Sequence, residues 1–453
     1  MIPFTVAFAV ESTNGTLCGG DSSLLFKQVK NVTIDSRSAG EGVLYVPVIG
    51  QVFDGHRFIP NAFENGALCT LSDRPLDSGV PYILVKDTTE ALQRLSEEYL
   101  RVNRIPVIGI TGSVGKTSTK EMLNTVLSCH FKTYHTPGNL NNQTGVPQAV
   151  FQIEKEHEVA ILELGTNHPG EIRSLARIVR PDICVLTNIG VAHIEFFGSR
   201  EGIFKGKTEM LEYMQEDGTV IANGDDDFLS TISGATLYGT GENCSVRAFN
   251  ILDKGLSGIA FTVKINGEDT PFFVPAPGRH NVYNALASIA AGLTLGMTPA
   301  ELQKGVSSYH ALPGRMDIHF MDRFTVLDDS YNANPASMMS AIDVLKDASG
   351  RKVCILGDMR ELGPESARFH YDIGRYAAEH GCDLLLCVGE YASDMAKGAD
   401  SVAEGIAACF SSREQLEPSL DLLIQSGDSI LVKASHGVHL DKTVEYLLDL
   451  AVK

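Results

Sequence analysis

The 453-residue chain carries 37 basic and 56 acidic residues, a net charge of −19, with 43% hydrophobic and 21% charged side chains. That length exceeds what one hydrophobic core usually serves, so two to four domains of ordinary globular composition are expected. The acidic residues are scattered, which argues against non-specific nucleic-acid binding and adsorption to anionic lipid but leaves a local phosphate site open.

The opening stretch MIPFTVAFAVE is apolar but short, lacks a basic flank and meets Glu11, so it is a weak candidate for a secretory leader. No segment has the length of a bilayer-spanning helix, and no membrane insertion is expected. The nine cysteines include no C-x-x-C pair. Cys354, Cys382 and Cys387 lie in apolar runs and are expected to be core thiols of a reducing compartment, the cytoplasm.

Up to about residue 85, short β-like runs (VLYVPVIG, PYILVKD) alternate with Gly-rich turns in an α/β mixture. TTEALQRLSEEYLRVNR then spaces Leu92, Leu95, Tyr99 and Val102 along one face of a connecting helix. From Pro106 the strands PVIGIT, VAILEL and ICVLTNI alternate with helices, which predicts a parallel sheet covered on both faces. IAFTVKI and TPFFVPA predict an antiparallel addition, and a helix follows from His280 to Leu295. After LPGRMD a second α/β run begins, with FTVLDDS, KVCILGDM, DLLLCVG and DSILVKAS as strands. Polar clusters at such strand ends are where α/β sheets present ligand groups.

Between PVIGIT and the helical KTSTKEMLNTVL stands a glycine loop. The usual phosphate loop is G-x-x-x-x-G-K-[ST], but counting back from Gly115-Lys116-Thr117 places Ile110 at the first glycine, and Gly112 leads a shorter G-x-x-G-K-T. A strand-to-helix glycine loop still turns backbone N–H groups and a helix N-terminus toward an anion. Lys116 adds a charge for the β and γ phosphates, and Thr117 a hydroxyl for Mg²⁺. A triphosphate site alone leaves motor, kinase, switch and ligase open.

Three further residues stand out. Glu163 lies in an otherwise apolar strand and needs a partner, either a cation near the nucleotide or a salt bridge. His193 follows the next strand end, where a histidine is either a loop hydrogen-bonder or a ligand. In SREGIFKGKTEMLEYM the apolar helical face is Ile203, Met210, Leu211 and Met214, and Lys207, unlike Lys205, falls on it. An inward lysine snorkels, pairs with a buried acid or is chemically special.

Together these motifs resemble the Mur ligase family, whose loop reads T-G-[TS]-x-G-K-[ST] where this chain has TGSVGKTS. The resemblance runs through DSR (35–37), FDGHRFI (53–59), GNLNNQTGVP (138–147), LELG (162–165), TNIGVAHIEFFGS (187–199) and KTE (207–209). It continues through PGRHNVYNALAS (277–288), LPGRMDI (312–318), DDSYNANPASM (328–338), ILGDMRELG (355–363) and LVKAS (431–435).

The resemblance implies an α/β fold of three domains. A small substrate domain for the UDP-sugar would span 1–85, a central P-loop ATPase-like parallel-sheet domain 86–312 with the connecting helix at 86–104, and a C-terminal Rossmann-like domain 313–453. The implied activity is ATP-dependent addition of D-alanyl-D-alanine to UDP-N-acetylmuramoyl-tripeptide through an acyl phosphate, by a cytoplasmic monomer whose partners are small molecules. Thr111, Gly112, Ser113, Val114, Gly115, Lys116, Thr117 and Ser118 would hold ATP, with Asn281 on adenine and Arg315 and Asp329 on ribose and phosphates. Thr117 and Glu163 would hold one Mg²⁺, and His193 and a carbamylated Lys207 a second, making Lys116, Glu163, His193 and Lys207 the catalytic set. Substrate would meet Asp35, Ser36, Arg37, Asp54, Gly55, His56, Asn139, Asn141, Asn142, Tyr331, Asn332 and Asn334.

The chain departs from the family pattern in two places. The last motif there often reads Lys-Gly-Ser-Arg or Lys-Ala-Ser-Arg, whereas KASHG puts His436 at the arginine position. Gln51 and Val52 stand in a loop where charged residues are common. Two other readings stay open: a folylpolyglutamate-type or other amino-acid ligase, and a nucleotide switch, against which the lack of an N-K-x-D motif counts.

Overall fold

The computed structural model describes residues 1–50, 53–77 and 79–452, so the departure at Gln51 and Val52 lies outside the described residues. The chain forms two compact units, each drawing on separated segments. One comprises Met1–Thr111, Phe131–Val185 and Gly206–Val220; the other comprises Gly112–His130, Leu186–Lys205 and Ile221–Lys453.

In the first unit a five-stranded sheet takes the order Thr16–Cys18, Tyr82–Leu84, Cys69–Ser72, Val43–Tyr45, Asn31–Thr33, so the β-like runs of the first 85 residues are strands of one mixed sheet. The connecting helix is Thr88–Val102, begun by the Asp87 carboxylate accepting from the Glu90 N–H. Leu92, Leu95 and Tyr99 are fully buried as the spacing predicts. Val102 is 59% exposed instead, because the helix ends there and its last turn runs out past the packed surface. The apolar N-terminus is core material: Phe4 packs against Tyr99 and Phe151, and the Tyr99 hydroxyl donates to the Ile153 carbonyl.

The strands Thr133–His135, Val159–Glu163 and Val107–Thr111 lie parallel in that order. Both VIGIT and VAILE are buried at every position, which is why they read as continuous apolar runs rather than alternating ones. Their register sets Glu163 beside Ile110, two residues before Gly112.

The second unit holds the antiparallel addition, with Ile259–Ile265 pairing Glu268–Val274, and the helix His280–Thr294. Its six-stranded sheet runs Asp317–Phe320, Thr325–Asp328, Ser429–Lys433, Lys352–Gly357, Leu384–Val388, Ala407–Phe410, parallel from the second strand onward. Val353 and Ile355 pack with Leu416, Leu420, Val444 and Leu447 on one face. Cys354 and Leu356 pack with Met338, Ile342 and Leu345 on the other, so helices cover both faces. Cys382 and Cys387 are buried in that second core, as expected of core thiols. Among the described residues no helix is long and apolar enough to cross a membrane.

Candidate active site

The glycine loop leaves the buried strand Val107–Thr111 and enters the helix Lys116–Leu127, whose Met122, Leu123, Val126 and Leu127 are fully buried. The strand runs one residue past Ile110, to Thr111, whose hydroxyl donates to the Leu164 carbonyl at 2.8 Å. Gly115 caps the helix at φ +82°, a left-handed conformation that favours glycine. Gly112 answers to space instead: a Cβ there would stand 1.8 Å from the Thr187 hydroxyl.

The segment Thr187–Gly190 braces the loop. The Val114 N–H donates to Asn188 Oδ1 (2.9 Å), Asn188 Nδ2 returns a bond to the Val114 carbonyl (2.9 Å), and the Thr187 hydroxyl donates to that same carbonyl (2.7 Å). The Gly190 N–H donates to Ser113 Oγ at 2.9 Å. Lys116 Nζ folds over the loop onto the Gly112 carbonyl, 2.9 Å away. The result is a rigid turn with the lysine held across it and the helix N-terminus behind, an arrangement suited to phosphate oxygens. Ser118 lies in the first turn of that helix.

Arg315 reaches this loop from the linker before the six-stranded sheet. Its Nη2 donates to the Thr117 hydroxyl at 3.1 Å, and its guanidinium lies 4.1 Å from the centre of the Tyr331 ring. The linker is tied down by the Gly314 N–H on Asp328 and the Tyr331 N–H on the Gly314 carbonyl. Asp329 pairs with the buried Lys433 at 2.5 Å, and Lys433 also donates to the Asn332 carbonyl at 2.9 Å. Burial pushes the Asp329 carboxyl above its usual range, against the pull of Lys433. Asn332 and Asn334 are occupied locally: Asn332 Oδ1 accepts its neighbour's N–H, and Asn334 caps the helix Pro335–Lys346 in a reciprocal pair with Ser337. Asn281 is buried, donating to the Pro277 carbonyl and accepting from Asn284, which in turn accepts from Thr119 of the loop helix.

His193 sits at φ +61° with Nδ1 2.6 Å from the Glu361 carboxylate. His436, at the arginine position of the last motif, lies against Tyr331 with ring centres 5.5 Å apart.

In the first unit Glu163 is buried, its carboxylate accepting from Asn141 Nδ2 at 2.8 Å and its N–H donating to Thr136 Oγ1. Asn142 Oδ1 accepts from the Thr144 and Gly145 N–H groups at the start of the helix Gly145–Phe151, and the Asn139 carbonyl accepts from the Asn141 N–H. Lys207 is 1% exposed, so the inward reading of the sequence holds, while Lys205 is exposed and pairs with Glu201. The expected helix through Met214 stops at Thr208 and continues as a 3-10 turn, Glu209–Tyr213. The Glu209 carboxylate accepts from the Gly170 and Arg173 N–H groups at the start of helix Glu171–Val179, and that capping contact draws the chain off its helical path. Leu211 and Met214 are accordingly only half-buried.

The predicted sugar-nucleotide residues form two capped turns. Asp35 accepts from the Arg37 N–H and pairs with its guanidinium at 2.7 Å, while the Ser36 hydroxyl donates to Asn61. Asp54 accepts from the His56 N–H, pairs with Arg74 at 2.8 Å, and is held down to about 2, the His56 backbone bond being the largest cause. Gly55 is required by close packing, since a Cβ there would stand 2.7 Å from the Val48 backbone. Thr187, Asn188, Lys433 and Glu361, which hold the loop, Asp329 and His193 in place, are not singled out by the sequence reading, although the motifs TNIG, LVKAS and GDMRELG contain them.

The chain is 35% identical to UDP-N-acetylmuramoyl-tripeptide–D-alanyl-D-alanine ligase of Bacillus subtilis strain 168 and 36% identical to that of Escherichia coli strain K12, with 99% of both proteins covered in each case. Three family models match in succession: Mur ligase family, catalytic domain (28–110), Mur ligase middle domain (110–292), and Mur ligase, glutamate ligase domain (314–436). The chain belongs to the Mur ligase family. A crystal structure of MurF from Acinetobacter baumannii superposes with a TM-score of 0.92 at 33% identity, over 100% of this chain and 99% of that one. MurF from Thermotoga maritima in complex with ADP gives 0.84 at 27% identity, over 94% and 98%. FolC from E. coli, at 18% identity and a TM-score of 0.60, shares the fold alone. The three-domain α/β architecture and the ATP-dependent ligase class expected from the sequence are those of the family.

Proposed function

We infer that this chain joins the amino group of D-alanyl-D-alanine to the terminal carboxylate of UDP-N-acetylmuramoyl-tripeptide, with ATP giving ADP and phosphate, in peptidoglycan precursor synthesis. The observation that carries this reading is the correspondence over 99% of both chains with ligases named for that reaction. Domain limits of 1–85, 86–312 and 313–453, a cytoplasmic address and a monomeric state belong to the same reading, and nine thiols without a disulfide suit it.

The residues support the chemistry. Transfer of the γ-phosphoryl group to the tripeptide carboxylate makes an acyl phosphate; attack by the dipeptide amine gives a tetrahedral centre, which expels phosphate. Each stage concentrates negative charge, so the protein's work is neutralisation and alignment. Lys116 and the N–H groups at the start of its helix take the ATP phosphates, Arg315 adds a second cation beside Thr117, and Asn281 and Asp329 orient the nucleoside. Mg²⁺ bound with ATP would supply further charge neutralisation. Thr117 and the buried Glu163 offer the hard oxygen donors such an ion prefers. For a second ion we propose His193, which would exchange its Glu361 partner, and Lys207 as a carbamate, since a carbamate replaces a buried ammonium with an oxygen ligand. Asp35–Arg37, Asp54–His56 and Asn139–Asn142 are proposed for the UDP-sugar peptide, with Tyr331, Asn332 and Asn334 facing the substrates.

The test is mass spectrometry of products from the UDP-tripeptide, ATP, Mg²⁺ and D-Ala-D-Ala. A UDP-pentapeptide with stoichiometric ADP is expected, and ADP release should not respond to folate with glutamate. No pentapeptide product overturns the reading.

A further inference from the structure

We propose that Arg360 is the residue that grips the free carboxylate of the incoming dipeptide and so selects a dipeptide acid; this rests on the reaction inferred above. In the six-stranded sheet Leu356 is in register with Lys433. Residues four steps further on, 360 and 437, therefore leave adjacent strand ends side by side. Arg360 Nη2 donates to the Gly437 carbonyl at 3.2 Å, and a Cβ at position 437 would stand 2.6 Å from Arg360 Nη1. Gly437 thus leaves the space that this guanidinium fills, one residue past His436. The cation missing at the arginine position of the last motif is supplied from the neighbouring strand end.

The other cations here are committed. Lys433 is buried on Asp329 and the Asn332 carbonyl, and Arg315 lies between Tyr331 and the Thr117 hydroxyl on the phosphate side. Arg360 is exposed, and among the described residues no carboxylate pairs with it. Its backbone is nevertheless fixed: its N–H donates to Ser435 Oγ at 2.9 Å, and the preceding Met359 N–H donates to the buried His370. A fixed backbone carrying a planar fork that spends one N–H on a carbonyl and keeps its others is suited to a carboxylate. D-Ala-D-Ala offers one carboxylate besides its reacting amine, and in a chain of net charge −19 that anion needs a local cation.

The experiment compares D-Ala-D-Ala with its C-terminal amide as acceptor for wild type, Arg360→Ala, Arg360→Lys and the double variant Arg360→Ala/His436→Arg. Wild type should prefer the acid. Arg360→Ala should raise KM for the acid roughly 10- to 100-fold, leave the amide, ATP and UDP-tripeptide KM values and kcat within about twofold, and bring the acid-to-amide ratio near one. Arg360→Lys should recover part of the preference, and His436→Arg in the Ala background more. Arg360→Ala with an unchanged acid-to-amide ratio, or with all three KM values moving together, overturns the assignment. Wild type that ligates acid and amide equally overturns it too, while leaving the reaction intact. Wild type that makes no pentapeptide overturns both.

Discussion

Replacing Lys433 with Met tests how the end of the six-stranded sheet is held together. The ammonium is 3% exposed and makes a 2.5 Å pair with Asp329 and a 2.9 Å bond to the Asn332 carbonyl. The methionine fills similar volume, so the loss is electrostatic rather than a cavity. It leaves a largely buried carboxylate with no counter-charge, a change that costs about 3–5 kcal/mol when one partner of such a pair is removed. Asp329→Asn strands the ammonium instead and should cost a comparable amount, reduced by the two carbonyls that still accept from it. Removing both charges should cost less than the sum of the single losses by about 1–3 kcal/mol. The chain has no tryptophan, so unfolding in urea is best followed by far-UV circular dichroism. A Lys433→Met loss under about 1 kcal/mol, or a double variant that equals the sum of the singles, would refute the reasoning.

The loop gives a second prediction: Gly112→Ala places a methyl 1.8 Å from Thr187 Oγ1 and must dislodge the Asn188 brace. A rise in KM for ATP by initial-rate kinetics, with a stability loss of about 1–3 kcal/mol from the overpacking, is expected, and unaltered ATP kinetics would contradict it. Lys207→Ala should abolish ligation, and added bicarbonate should not restore it; full activity without rescue removes the carbamate role. His280 offers a pH test, its imidazole being pushed down to about 4 by burial first and by Lys433 second. The folded state then binds fewer protons than the unfolded chain between about pH 6.5 and 4, so stability is full above 6.5 and falls as pH drops through that window. His280→Asn should flatten this part of a thermal-melting profile against pH. Asp54, held near 2, acts lower still, its contribution present above about pH 4 and lost toward pH 2. Asp54→Asn should remove that acid-range loss in the same melts.

The sequence by itself determined the strands, the loop helix and the family. VIGIT and VAILE are buried at every position, so their apolar runs carry their location within them, and KTSTKEMLNTVL matches its helix end to end. The inward Lys207 was also legible, because a 3.6-residue period places a charge on an apolar face whatever surrounds it. The helix stop at Thr208 was not, since it answers to Glu209 capping a helix some 40 residues earlier in the chain. The same holds for the brace of Asn188 on Val114, for Arg315 on Thr117, which are 198 residues apart, and for Arg360 beside Gly437. Periodicity reports which face of an element is buried; it carries no information about which strand ends become neighbours. Sheet order decides that, and in this chain it brings an arginine from one strand end to the place where the next has a histidine.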